Sequence, residues 1–243
     1  MIVINEIETR RFGVVCARLH PGPVSGASLK EVHEDAKNKG VGMIAARIDV
    51  SALDQVHALE QAGYKLMDTL VWYGRRLSDA VAKSMATTSN IRLRLSEPCD
   101  ADTVEAIASR AFANYFGHYH ADPRLSRTAA DAAYVEWART SVAAATDLSP
   151  VLLAIEEEIV AGFATMRLNL SDEAEIVLNA VEPLRQGRGI YSALVKGALG
   201  QAETLGAKRI IISTQINNYP VQRVWSRLGF VHERSLYTFH KWL

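Results

Sequence analysis

One stretch limits the folds open to this chain more than any other, running from Glu175 to Phe230. It reads as an apolar strand, a basic glycine-rich turn, a long helix, a β-branched strand and a second helix closed by Leu228-Gly229-Phe230. The turn, Gln186-Gly187-Arg188-Gly189-Ile190-Tyr191, stands where the strand ends and the helix begins. Such a turn aims unpaired backbone N–H groups and the positive end of the helix dipole at one point, which suits a phosphate or pyrophosphate. Glycine lets the backbone approach an anion closely, and Arg188 adds a fixed charge. The dinucleotide fingerprint does not fit, because the third glycine is missing and no acidic residue ends the next strand. A Walker loop does not fit either, since no Gly-Lys-Ser/Thr follows.

The company of the turn is more specific than the turn. Thr214-Gln215-Ile216-Asn217-Asn218 ends a strand in amide side chains, and Gly229-Phe230 follows one helix later. On Gln186, Gly189, Asn218, Gly229 and Phe230 the segment resembles the GNAT superfamily of acetyl-CoA-dependent N-acetyltransferases. Two positions depart from that pattern: Tyr191 stands where a small residue is usual, and Trp225 where a Tyr falls. The resemblance implies an α/β fold, the GNAT acyl-CoA N-acyltransferase fold, with a mixed twisted sheet flanked by helices. It also implies acetyl-CoA as cosubstrate, its pyrophosphate held by Gln186, Gly187, Arg188, Gly189, Ile190 and Tyr191. The strand Ile176 to Val181 would hold the pantetheine and thioester through Leu178, Ala180 and Val181. Asn218 and Trp225 would meet the coenzyme from the other side.

Acetyl transfer to nitrogen needs an uncharged amine, an oriented thioester, donors for the oxyanion and a proton for the thiolate. In this fold a strand that splays from its neighbour leaves backbone N–H groups free, and Leu178, Asn179 and Ala180 are placed for that. Glu175 is the first choice as base, since burial can raise a carboxylate pKa; an exposed strand-end Glu is the plainer reading. Asn179 is the other catalytic position, holding a water or the substrate. An acid is not assigned: the indole of Trp225 donates a hydrogen bond but not a proton, and Tyr191, Tyr219 and Tyr237 are substitutes.

Ahead of this region lies a smaller α/β unit. Phe12 to Leu19 reads as a strand. A capping-box spacing at Ser28 to Glu31 opens a helix ending at Gly40, and Val41 to Ile48 is a buried strand. Ser51 caps a second helix through Ala62, and a strand runs from Lys65 to Tyr73. Val56 to Tyr64 lies over Gln222 to Phe230 without a gap, and Val71-Trp72-Tyr73 over Tyr237-Thr238-Phe239. A degenerate internal copy is one reading and convergence of two βαβ units the other. The copy lacks the chemistry, with Pro23 in the loop matching the phosphate turn and Ala52 where Asn218 would be. The expected organisation is a degenerate GNAT-like domain over 1–77, a linker over 78–90 and the acetyltransferase domain over 91–243. The last opens with the strand Ile91 to Leu95 and a helix from Asp100 or Asp102 through Phe112.

Between Phe112 and Arg127 the chain gathers Tyr115, Phe116, Tyr119, His118, His120, Arg124 and Arg127, although only 7% of its residues are aromatic. A helix from Thr128 to Ala145 then carries Tyr134 and Trp137. The plain reading is a loop covering a hydrophobic edge. The functional one is a substrate wall of Tyr119, His120 and Tyr134, with Arg124 and Arg127 for phosphate. His118-x-His120 without a Cys or third His nearby does not suggest a metal, and Asp122 before Pro123 reads as a turn residue. Glu156-Glu157-Glu158 reads as a solvated turn in a hairpin.

The wider layout resembles the TDP-fucosamine acetyltransferase branch of the superfamily, on Tyr119-His120-Ala121-Asp122-Pro123, Ser213-Thr214-Gln215 and the degenerate first domain. That resemblance implies a small-molecule substrate, the amine of a nucleotide-linked 4-amino-4,6-dideoxy sugar, in cell-surface polysaccharide biosynthesis. A GNAT enzyme for another amine and a non-catalytic acyl-CoA-binding protein remain the alternatives. A formal net charge of zero gives no reason to expect nucleic acid or an anionic membrane as partner. No apolar run suits a signal peptide or a membrane span, so a cytoplasmic protein is expected, with Cys16 and Cys99 as reduced core thiols. A homodimer stays open.

Overall fold

The computed structural model describes residues 1–20, 22, 24–77, 90–113, 115–170 and 172–243. The chain begins β1 (Ile2–Ile4), α1 (Glu6–Phe12), β2 (Cys16–Leu19), α2 (Gly26–Asn38), β3 (Met43–Asp49), α3 (Leu53–Gln61) and β4 (Lys65–Arg76). It continues with β5 (Ile91–Leu95), α4 (Ala101–Ala111), α5 (His118–Ala121), α6 (Arg127–Ala143), β6 (Val151–Glu156) and β7 (Ile159–Leu170). It closes with β8 (Glu173–Val181), α7 (Ile190–Thr204), β9 (Arg209–Gln215), α8 (Tyr219–Arg227) and β10 (Val231–Trp242). Two compact units emerge. One comprises Met1–Val71, Phe116–Ala130 and Arg234–Leu243, the other Trp72–Tyr115 and Asp131–Glu233.

In the first unit β1 pairs antiparallel with β2, β2 parallel with β3, and β3 antiparallel with β10. Leu29, Val32 and Ala36 of α2 and Val56 and Leu59 of α3 recur at helical spacing and pack with Ile44, Ala46, Ile48 and Phe239. Several expectations are corrected here. The strand expected from Phe12 begins only at Cys16, because Asn5 accepts the Glu8 N–H and caps α1, which runs through Phe12. Ser25 rather than Ser28 caps α2; the two serines form the capping box together, so the helix starts one turn early. Ser51 does not cap α3, since its hydroxyl and N–H both turn back to Asp49. Cys16 is buried as expected, but Cys99 is exposed.

The aligned stretches of the two units share their local geometry. Ala52 before α3 has φ −83° and ψ 60°, and Asn218 before α8 has φ −84° and ψ 62°. Each helix ends in a left-handed glycine, Gly63 or Gly229, followed by Tyr64 or Phe230, whose N–H returns to the carbonyl of Leu59 or Trp225. A long strand follows in both cases. Pro23 and most of the expected linker lie outside the described residues.

In the second unit β9 pairs parallel with β8, which pairs antiparallel with β7, and β7, β6 and β5 follow as an antiparallel meander. The face of α7 built from Leu194, Val195, Ala198, Leu199 and Ala202 packs on Ile176, Ile210, Ile212 and Ala164. Small residues let the helix lie close: a Cβ on Gly197 would meet side-chain atoms of Leu93 and Leu152 at 2.4 and 2.7 Å. Asp100 does not cap α4; its carboxylate takes both Arg94 Nη atoms at 2.7 Å and the Glu97 N–H.

Candidate active site

β8 delivers the chain through a short 3₁₀ turn, Pro183–Arg185, to the glycine-rich turn. Gly187 and Gly189 have φ of +79° and +85°, left-handed values that side chains resist, and nothing stands within 4 Å of a Cβ on either. Gly189 precedes the first turn of α7, and among the described residues no side chain caps it. The first-turn N–H groups of a fifteen-residue helix therefore lack a side-chain acceptor at an open, glycine-lined end. Gln186 ties the turn to β8 by donating to the Val181 carbonyl at 3.4 Å. Glu156, expected in a solvated turn, is instead the counter-ion of the turn: it accepts from Arg185 at 2.6 Å and from Arg188 at 3.4 Å. Glu157 and Glu158 are the exposed pair, with φ of 53° and 61°. These residues fit the phosphates of a nucleotide-bearing coenzyme.

Beside the turn the sheet opens. Among the described residues the parallel pairing of β8 with β9 runs from Glu173–Arg209 to Ile176–Ile212 and ends there, although both strands continue. Opposite, the register between β7 and β8 slips between Thr165 and Met166, which places an extra residue, Val177, on β8. Past the bulge Leu178 donates its N–H to the Thr165 hydroxyl at 3.0 Å. The expectation that Leu178 offers a free N–H is thereby corrected. Backbone direction alternates along a strand, so Leu178 and Ala180 turn to β7 while Asn179 and Val181 turn to the side β9 has left. Sequence reasoning missed this parity because it depends on the bulge.

Across the opening Gln215, the last residue of β9, is buried, and among the described residues its carboxamide oxygen has no protein partner. Asn218 donates its side-chain N–H to Thr214 Oγ1 at 3.0 Å. Trp225 is 1% exposed and donates its indole N–H to the Tyr191 hydroxyl at 2.8 Å, with the Tyr73 ring edge-on at 5.3 Å. Burial pushes the Tyr191 phenol well above its ordinary pKa, and the Trp225 hydrogen bond acts the other way. The two positions that depart from the family pattern thus touch each other.

Glu175 is not in the opening. It pairs with Ile211 inside the closed part of the sheet, and its Oε2 accepts from Arg167 at 3.0 and 2.7 Å and from Asn169 at 2.9 Å. Glu175 is buried, and one of its oxygens is held by an ion pair lying across from it on β7. The sequence carried the signal, since a β7–β8 hairpin in this register sets Arg167 opposite Glu175.

The aromatic stretch divides between the units. In the first, Tyr119 packs on Phe12 and donates to Glu8 at 2.8 Å, the Gly117 N–H goes to His120 Nδ1, and Arg124 lies 4.1 Å above the Trp242 ring. Arg127 is exposed at the start of α6. Asp122, expected as a turn residue, accepts from His240 at 2.8 Å and Trp242 at 2.9 Å, and His240 meets His118 at 3.1 Å. Burial pushes Asp122 up, but these bonds and the Arg124 N–H hold it below the ordinary carboxylate range. In the second unit Tyr134 packs on Phe112 and Tyr115, with centroids at 5.1 and 4.9 Å.

Residues 110–230 match the acetyltransferase (GNAT) family. The chain carries a GNAT acetyltransferase domain. It is 30% identical over 146 residues to the spore coat polysaccharide biosynthesis protein SpsD of Bacillus subtilis, covering 60% of this chain. The match spans 49% of that relative, about half its length. Among solved structures, a GCN5-related N-acetyltransferase from Sphaerobacter thermophilus covers 99% of this chain and 76% of its own, with TM-score 0.66 and 16% identity. A tandem GNAT protein from the clavulanic acid biosynthesis pathway covers 93% and 75%, with TM-score 0.61 and 13% identity. At these identities the structures bear on the fold alone. Among the described residues no helix is long and apolar enough to cross a membrane.

Proposed function

We propose that this chain is an acetyl-CoA-dependent N-acetyltransferase acting on the amine of a nucleotide-linked amino sugar. The observation that carries the reading is the end of β8–β9 pairing at Ile176–Ile212, just ahead of the turn with left-handed Gly187 and Gly189. An opened strand edge and an anion-binding helix start are together what a long coenzyme with a phosphate end and an amide-rich arm requires. Acetyl-CoA supplies the activated acetyl group. The chain's part is to hold the phosphates at Gln186 to Tyr191, with Arg188 as the charged group, and to align the coenzyme arm along β8. The N–H groups of Asn179 and Val181 would meet the acyl oxygen, where charge builds up as the amine attacks. Holding both reactants in line removes the entropy of their encounter. Glu175 is assigned to hold the β7–β8 hairpin. The sugar class rests on the likeness to SpsD, a protein of polysaccharide biosynthesis, and on the resemblance carried by the sequence.

The test is release of coenzyme A from acetyl-CoA with dTDP- and UDP-linked amino sugars, free amino sugars and polyamines. An enzyme-only control covers the exposed Cys99; burial pushes the Cys16 thiol up to about 12, so it stays protonated. Release with the nucleotide-linked sugars alone supports the reading. Release with polyamines alone moves the chain to another amine, and tight binding without release for any amine makes it an acyl-CoA-binding protein.

A further inference from the structure

Ile210 and Ile212 of β9 lie in the core beneath α7, and Thr214, two residues on, takes the side-chain N–H of Asn218 at the start of α8. Strand alternation therefore turns Ile211, Ser213 and Gln215 to the opposite face of the sheet. Among the described residues the pairing with β8 ends at Ile212, so Gln215 stands at the edge of the opening and not inside the closed sheet. Gln222 of α8 donates to the backbone carbonyls of Gln215 at 3.5 Å and Ile216 at 2.9 Å, which fixes the strand end through its main chain alone. The Gln215 residue is 7% exposed, and among the described residues neither end of its carboxamide has a protein partner. A buried carboxamide in that state is unfavourable unless a ligand completes it. With no bond fixing it, a half-turn of the carboxamide presents its oxygen on either side.

Resting on the acetyltransferase reading, we propose that Gln215 receives the acceptor amine: its carboxamide oxygen takes one N–H of the neutral amine and turns the nitrogen lone pair toward the acetyl carbon. The glycine-rich turn opens α7, so the coenzyme reaches the opening from the α7 face, and the opposite face, where Gln215 lies, is left for the second reactant. The choice of a carboxamide has a chemical reason. A carboxylate in the same place would pair with the ammonium form and hold it charged, with no lone pair to attack, whereas a carboxamide accepts an N–H without adding a charge. As the lone pair bonds to the acetyl carbon, the carbon–sulfur bond breaks and its electron pair stays on sulfur. One of the two amine protons stays against Gln215 as the N–H of the product amide. The other passes to solvent, and sulfur is protonated from solvent on release.

Gln215→Met removes the acceptor at similar length, and Gln215→Glu replaces it by a charge. The first reading needs no turnover: a dTDP-linked 4-amino-4,6-dideoxy sugar and its 4-keto counterpart, which has no N–H, are titrated by calorimetry into protein already holding coenzyme A. The wild type should favour the amine by about tenfold, and Gln215→Met should bring the two within about threefold by losing affinity for the amine alone. Acetyl-CoA affinity should stay within about threefold of wild type, while kcat in Gln215→Met falls about tenfold or more. In Gln215→Glu the acid limb of the kcat profile, which reports the bound amine, should move up by about one pH unit. An undiminished preference for the amine with unchanged kcat in Gln215→Met would overturn the proposal and leave the acetyltransferase reading standing. Loss of acetyl-CoA affinity in Gln215→Met would also overturn it, by giving the oxygen to an N–H of the coenzyme arm. If the wild type binds acetyl-CoA but neither sugar, the sugar class falls, and kcat of Gln215→Met on the amine that does release coenzyme A decides the proposal in the same way. Failure of the wild type to bind acetyl-CoA, or to release coenzyme A with any amine, would overturn both.

Discussion

The indole N–H of Trp225 donates to the hydroxyl of Tyr191 at 2.8 Å, a hydrogen bond that ties α8 to α7. Trp225→Phe keeps a ring against Tyr73 but leaves the phenol oxygen without its donor. The expected cost is about 1–2 kcal/mol in urea unfolding, from one buried hydrogen bond plus lost ring volume. Adding Tyr191→Phe should cost less than its single effect predicts, because the partner left unpaired is then gone.

Gly189 should be intolerant of any side chain for a backbone reason. Its φ of +85° is a left-handed value, yet a Cβ there would meet nothing within 4 Å. Gly189→Ala should therefore lower stability by only about 1 kcal/mol. The strain should be relieved by rotation that turns the first N–H groups of α7, and acetyl-CoA affinity by calorimetry should drop more than tenfold. Gly189→Asp should abolish binding by adding a negative charge at the phosphates.

Glu175→Gln should weaken the protein without reshaping its pH profile. Its Oε2 takes three hydrogen bonds from Arg167 and Asn169, and Arg167 is half exposed, so solvent replaces part of what is lost. We expect about 1–2 kcal/mol in chemical denaturation, and a wild-type-to-variant ratio of kcat/KM that stays level between pH 6 and 9. A ratio that grows steeply toward low pH would return Glu175 to the role of base.

Most of the second unit was legible in the sequence because strands and helices there follow strict periods. β5 begins and ends at Ile91 and Leu95 as expected, and the long strands are bounded by acidic or glycine-rich turns. What escaped were features fixed by partners distant in sequence. Asp122 reads locally as a turn residue before proline, and only β10, more than a hundred residues later, supplies His240 and Trp242. The donors facing the opening escaped for another reason: one inserted residue at Val177 reverses which N–H groups face which neighbour, and no periodicity announces a single bulge. At the first unit's start, one cap at Asn5 decided helix over strand, a local choice too short for periodicity to register.

His118, buried in the first unit, should make stability fall with acidification. Burial, with Arg47, His240, Arg18 and His120 adding like charge, holds His118 well below the ordinary imidazole range. Asp122 is screened from it by His240, to which His118 Nδ1 stands at 3.1 Å. The folded form keeps His118 neutral while the unfolded chain protonates it below pH of about 6.5. Stability is therefore full above that value and declines as pH drops, by up to about 1.4 kcal/mol per pH unit in this window. Thermal melting at pH 7.5, 6.5 and 5.5 should show the decline, and His118→Gln should flatten it while lowering stability at pH 7.5.

Thr165 offers the sharpest test of how the opening is built. The residue is 3% exposed, and its hydroxyl accepts the Leu178 N–H at 3.0 Å, doing at the bulge what a β7 carbonyl does elsewhere on the strand. Thr165→Val preserves shape and removes the acceptor, which leaves a buried backbone N–H unpaired at a cost of about 1–3 kcal/mol. The chain can escape that cost only by shifting β8 in register, which would turn Leu178 toward the opening and Asn179 away from it. We therefore expect Thr165→Val to lose acetyl-CoA affinity by more than tenfold, although the residue lies on the opposite side of β8 from the opening. Amide hydrogen exchange should rise from Val177 to Val181 while β5 and β6 stay protected. If affinity and exchange over β8 both stay at wild-type values, the bulge does not set which N–H groups face the coenzyme, and the assignment of Asn179 and Val181 falls with it.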